Sequence, residues 1–166
     1  MSQELRGLSS ADGLRFAIVV SQFNDEITSG LLAGARATLA EADVRERDVT
    51  VVHVPGAFEI PLVAMRLAET DQFDAIVCLG CLIKGDTMHF EYIASATATG
   101  IMQASAATGV PVTFGVLTTL TEEQAVLRSV PGADNKGREA ALAAVQMATL
   151  MRQLDSATDV DLEELP

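Results

Sequence analysis

The chain has 166 residues, 49% of them hydrophobic, which suits one domain with a single buried core. With 11 Lys and Arg against 23 Asp and Glu the formal net charge is -12, which argues against a nucleic-acid backbone or an anionic membrane as partner, so any bound phosphate must be met locally. Residues 1–13 read as an arm without the basic start and apolar stretch of a signal peptide, no apolar run approaches the roughly 20 residues of a membrane span, and two cysteines make no disulfide scaffold, so a soluble cytoplasmic protein of one domain, residues 1–166, is expected.

The first apolar run, Phe16 to Val20 (FAIVV), predicts a strand covered on both faces. Asn24 follows as a cap for a helix whose first turn carries Asp25 and Glu26 and in which Ile27, Leu31, Ala35 and Leu39 recur at helical spacing. A second strand runs from Val49 to Val54, and Pro61 then starts a helix through Leu62, Met65 and Leu67. The third strand is Ala75 to Leu79, followed by a long helix from about His89 to Ala107 that stops at Thr108-Gly109. Val112 to Leu117 is the fourth strand. Thr121 with Gln124 then makes a capping box for a short helix, Pro131-Gly132 breaks it, and a last helix runs from about Lys136 to Leu154. Residues 155–166, with five acids and no base, read as a solvated or frayed tail.

Strands alternating with helices imply parallel β-α-β units, so the fold class is α/β, a three-layer α/β/α sandwich with a four-stranded parallel sheet and helices on both faces. Ligands of such sheets collect beyond the carboxyl ends of the strands. That directs attention to Ser21 to Asn24, Pro55 to Glu59, Gly80 to His89 and Thr118-Thr119. Aromatic residues are only 4% and Trp is absent, and so apolar a composition in a strongly acidic chain points to surface buried between copies, hence a homo-oligomer.

Cys78 and Cys81 have the Cys-x-x-Cys spacing of redox and metal sites, but in an extended strand they point to opposite faces and lie ahead of the helix start that would activate a thiol. Buried small side chains are the simpler reading. Gly80 and Gly85 have the spacing of a nucleotide phosphate loop, yet Asp86 stands where its lysine belongs. The Gly85-Asp86-Thr87 turn leads into a helix start, and is either an anion site of backbone N–H groups and the Thr87 hydroxyl or an ordinary cap. His89 beside it is a proton shuttle or a helix-start histidine bonded to a neighbour. His53, inside a strand, reads as structural, and two histidines without a Cys/carboxylate cluster do not make a catalytic zinc site. Phe58-Glu59 can stack on and bond a flat polar heterocycle, with Phe23 as a second face, or pack in the core. Arg128, Lys136 and Arg138 are bases around the Pro131-Gly132 break, available to an anion.

Ser21 to Asn24, Val54 to Pro61, Leu79 to Tyr92, Pro111 to Thr119 and Asn135 to Gly137, in register from about Leu14 to Arg152, together resemble the 6,7-dimethyl-8-ribityllumazine synthases of riboflavin biosynthesis. The resemblance implies a flavodoxin-like sheet and the joining of 5-amino-6-(D-ribitylamino)uracil to 3,4-dihydroxy-2-butanone 4-phosphate, with release of phosphate and water and no metal or organic cofactor. It implies Phe23 stacked on the pyrimidine, Ala57, Phe58 and Glu59 on the ribityl chain and ring edge, and Cys81, Leu82 and Ile83 lining the same pocket, with Phe114 closing it from a neighbouring subunit. Asp86, Thr87 and Arg128 would meet the phosphate, with Lys136 close by and His89 as proton donor. A pentamer is implied. Ser129 to Asp134 lacks the insertion of relatives that stop there, which favours an icosahedral shell, and riboflavin synthase is a candidate partner. Position 81 carries Cys where many relatives have Thr. Two other classes stay open: a catalytically inactive shell-forming or flavin-binding relative, and a thiol redox protein.

Overall fold

The computed structural model describes residues 2–163, with side chains as far as residue 157. Four strands, β1 (Phe16–Ser21), β2 (Val49–Val54), β3 (Ala75–Ile83) and β4 (Val112–Thr119), alternate with helices α1 (Asp25–Glu41), α2 (Ile60–Ala68) and α3 (His89–Thr108), and α4 (Glu122–Leu127) and α5 (Lys136–Glu163) complete the order. The strands form one parallel sheet in the order β2-β1-β3-β4. Among the described residues no helix is long and apolar enough to cross a membrane.

The period-two alternation of the central strands builds two cores. Phe16, Ile18 and Val20 of β1 and Val77 and Leu79 of β3 pack under Leu31, Ala35 and Leu39 of α1 and Ala141, Ala144 and Val145 of α5. Ala17, Val19, Ile76 and Cys78 face the other way, against Ile60 and Ala64 of α2 and Ile101 of α3. This is the expected three-layer sandwich. On the first face, α5 lies so close to α1 that a Cβ on Gly137 would collide with the Leu31 carbonyl oxygen, which is why a glycine stands there.

Several elements depart from the sequence reading. Asn24 occupies the position before α1, but it makes no side-chain cap. Its backbone is left-handed (φ 59, ψ 50), a conformation asparagine tolerates better than most residues, and its side-chain amide instead donates to the Cys81 carbonyl at 3.0 Å. β3 continues past Leu79 to Ile83, because Gly80 to Ile83 pair with Val116 to Thr119 of β4, and that ladder outweighs the glycine. α5 likewise runs on to Glu163 rather than ending at Leu154. An established helix adds one backbone bond for each further residue, which outweighs the modest helix penalties of Asp, Ser, Thr and Val in residues 155–163, and neither Gly nor Pro stands there to break it. The acidic tail is therefore helical as far as it is described, and residues 164–166 lie outside the described residues. His53 sits in edge strand β2 as read, with its side chain exposed.

The amino-terminal arm is tied down. Leu8 N–H donates to Thr149 Oγ1 at 2.8 Å, Gln153 Nε2 to the Arg6 carbonyl at 2.8 Å, and Ala11 N–H to the Ala42 carbonyl at 2.8 Å. Residues 6–11 thus form a strap across α5 and the end of α1.

Candidate active site

In the order β2-β1-β3-β4 the chain leaves β1 toward β2 on one side and returns to β3 on the other, so a crevice opens between the carboxyl ends of β1 and β3. A cleft of about 550 Å³ lies there. Phe23 from the turn after β1, Ala57, Phe58 and Glu59 from the turn after β2, Cys81, Leu82 and Ile83 from the end of β3, and Thr87 and His89 from the start of α3 all line it. The sequence reading missed Phe90 and Ile93, which close the cleft from the first turns of α3. The spacing of Ile93, four residues after His89 and three after Phe90, was the available signal.

Phe23 and Phe58 are 68% and 59% exposed, so neither packs in the core. Flat apolar faces left in water beside a cleft are suited to sandwiching a planar ring. Glu59 is held in place by its own turn: Oε2 accepts the Gly56 N–H at 2.9 Å. Thr97 of α3 anchors the same turn by donating its hydroxyl to the Ala57 carbonyl at 3.3 Å. Phe23 is positioned through Asn24, whose bond to Cys81 joins the turn after β1 to β3.

The cysteines are packing residues on opposite faces of the sheet, Cys81 with α1 and α5 and Cys78 with α2 and α3. Both are free and buried. Burial pushes the Cys81 thiol up to about 11 and the Cys78 thiol higher still, the reverse of what a reactive thiolate needs. Among the described residues no group of His, Cys, Asp and Glu is placed to hold a metal ion.

The Gly85-Asp86-Thr87 turn carries the cleft's polar rim. His89 N–H donates to Thr87 Oγ1 at 3.4 Å, and Asp86 is exposed and outside the lining. The other anticipated residues lie elsewhere. Phe114, Arg128 and Lys136 line a second cleft of about 310 Å³ between edge strand β4 and α5, and the two clefts have no lining residue in common. There Arg128 Nη1 donates to the Gln124 carbonyl at 2.9 Å and Lys136 pairs with Glu139. Arg138 is engaged with Glu41 at 2.8 Å and ties α5 to α1.

The family model described as 6,7-dimethyl-8-ribityllumazine synthase matches residues 13–152. A 6,7-dimethyl-8-ribityllumazine synthase of Salinibacter ruber (strain DSM 13855 / M31) is 50% identical over 155 residues, covering 93% of this chain and 99% of the relative.

Proposed function

The chain belongs to the 6,7-dimethyl-8-ribityllumazine synthase family, and from that premise we propose how its two clefts carry out the reaction. The protein is a transferase of riboflavin biosynthesis that condenses 5-amino-6-(D-ribitylamino)uracil with 3,4-dihydroxy-2-butanone 4-phosphate to 6,7-dimethyl-8-ribityllumazine, releasing phosphate and water. The observation that carries our reading of the site is the convergence of Phe23, Phe58, Glu59, Thr87 and His89 on one cleft at the switch point of the sheet.

Phe23 stacks on the pyrimidine. Ala57, Phe58 and Glu59 hold the ribityl chain and ring edge, while Cys81, Leu82 and Ile83 form the floor. The thiol of Cys81 gives no hydroxyl contact. Thr87, the backbone N–H groups around Asp86, Arg128 and Lys136 receive the phosphate, a local cationic and N–H cradle in an otherwise acidic protein. The amine of the pyrimidine attacks the ketone and water leaves as the Schiff base forms. Loss of the proton on the hydroxyl-bearing carbon then expels phosphate and leaves an enol. The enol takes up a proton on its terminal carbon to become a ketone, and attack of the ribitylamino nitrogen on that ketone closes the second ring with loss of water. Each step moves a proton, and His89 at the rim supplies and accepts it. Holding two reactants face to face provides most of the acceleration.

The separation of Phe114, Arg128 and Lys136 from the main cleft supports a site completed between copies, with these three residues from the neighbouring subunit. Leu62, Tyr92 and Met102, each largely exposed on α2 and α3, support a homo-oligomer that covers them. The assembly is a pentamer, and the short Ser129 to Asp134 connection favours an icosahedral shell of pentamers that works in the cytoplasm beside riboflavin synthase.

The test is to mix purified protein with both substrates and follow lumazine fluorescence and released phosphate against the uncatalysed background. Catalysed, stoichiometric appearance of both is expected. A background rate from folded protein that still binds the pyrimidine would replace this reading with an inactive binding or shell-forming relative.

A further inference from the structure

The connection from β3 to α3 stands off the body of the protein. Every residue from Lys84 to His89 is exposed, a Cβ built on Gly85 would meet nothing within 4 Å, and α3 starts after Met88 with no side-chain cap. Within the turn the 3.4 Å bond from His89 N–H to Thr87 Oγ1 is long and weak. A segment with so little packing has no reason of its own to keep one shape.

Its two ends, however, are linked. Lys84 N–H is fixed to the Thr119 carbonyl at 2.9 Å, which sets where β3 stops. From that fixed point Lys84 Nζ reaches across the turn to Glu91 Oε1, at 2.9 Å, in the first turn of α3. The two side chains are 47% and 35% exposed, so the pair is partly shielded from water. Glu91 Oε2 is buried and accepts no hydrogen bond among the described residues, so the contact with Lys84 through Oε1 is what fixes the carboxylate. The bond and charge of Lys84 hold the Glu91 carboxyl below its ordinary value, which keeps the pair ionised at neutral pH.

We infer that the Lys84–Glu91 pair is a brace that holds the Gly85 to Met88 turn in the shape that receives the substrate's phosphate and sets His89 beside it. This rests on the proposed reading of the cleft. Lys84 and Glu91 are positioning residues: neither lines the cleft, and each acts by fixing the angle between the end of β3 and the start of α3. The brace therefore bears first on the phosphate substrate, since Phe23, Ala57 to Glu59 and Cys81 to Ile83, the proposed contacts of the pyrimidine, come from β1, β2 and β3.

The experiment uses the intact assembly carrying Lys84→Gln, Glu91→Gln, or the reversed pair K84E/E91K. Amide hydrogen exchange over residues 85–89 is measured without substrate, and KM is measured for each substrate. Each single substitution is expected to speed exchange in that segment by up to about fivefold, the scale of one partly exposed ion pair, and to raise KM for the butanone phosphate comparably while KM for the pyrimidine holds. The reversed pair is expected to restore both. Unchanged exchange, equal rises in both KM values, tighter phosphate binding in Glu91→Gln, or failure of the reversal would each overturn the brace. Faster exchange in the variants of a protein whose unsubstituted form makes no lumazine would leave the brace standing and overturn the proposed function.

Discussion

The side-chain amide of Asn24 donates to the main-chain carbonyl of Cys81 at 3.0 Å, and so joins the turn that carries Phe23 to the strand that floors the cleft. Asn24 is also left-handed (φ 59), so one residue meets a backbone need and a side-chain need together. The two separate by substitution. Asn24→Gly keeps the backbone free and removes the bond, and stability should stay within about 1 kcal/mol of the parent while KM for the pyrimidine rises several-fold. Asn24→Asp tolerates the backbone but sets a carboxylate against a carbonyl, and should be worse than Gly. Thermal melts beside steady-state kinetics check this, and a Gly variant with unaltered KM would reduce Asn24 to its backbone role.

If His89 carries the protons as proposed, His89→Ala should lower kcat/KM by about a hundredfold or less, because approximation of the reactants survives the substitution. The loss should vary with pH. Turnover undiminished across a pH series would remove His89 from the proton transfers.

Sites shared between copies can be rescued by mixing. His89→Ala and Arg128→Ala subunits, each poorly active alone, should regain activity when co-assembled, since about a quarter of the interfaces in a random mixture pair an intact His89 with an intact Arg128. A mixture no better than the average of its parents would return both residues to one subunit's site.

Gly137→Ala should destabilise the protein by about 2 kcal/mol or more, because the added methyl meets the Leu31 carbonyl of the facing helix and only a backbone shift relieves it. Denaturant unfolding measures the loss. A neutral substitution would mean that α1 and α5 can move apart freely.

Cys81 makes stability pH-dependent. Burial raises its thiol from 9.0 to about 11, so the folded state holds the proton more tightly than the unfolded one. The resulting stability is fully present below about 9 and is lost as pH rises through about 11. The urea midpoint should fall across that window in the parent and fall less in Cys81→Ala. Equal slopes would assign the alkaline loss to other groups.

The order of strands and helices was legible because each strand is a short apolar run and Pro61, Gly109 and Pro131-Gly132 mark where the intervening helices begin or end. The cleft residues were legible chiefly through motifs in register, since an exposed phenylalanine and a buried one look alike in sequence. Asn24 was misread because asparagine is favoured both as a helix cap and in the left-handed region, and only the neighbouring Cys81 carbonyl decides between them. The sequence points to an end of β3 at Leu79 because Gly80 reads as a stop until its pairing with Val116 of β4 is known. The pairing of Lys84 with Glu91 is not legible in the sequence, since they meet across a turn whose path no helical or strand spacing predicts. Nor did spacing reveal that Phe114, Arg128 and Lys136 gather on an edge of the sheet with no residue in common with the main cleft.

The strap of residues 6–11 lies on α5, and Arg6 and Leu8 find their partners in Gln153 and Thr149. A ribosome delivers those partners last. Arg6 and Leu8 are therefore without these partners until α5 has been made and has docked on α1, whereas Ala11 can bond the Ala42 carbonyl as soon as α1 has formed. Attachment of Arg6 and Leu8 thus reports that α5 has docked, while the Ala11 end of the strap reports only on α1.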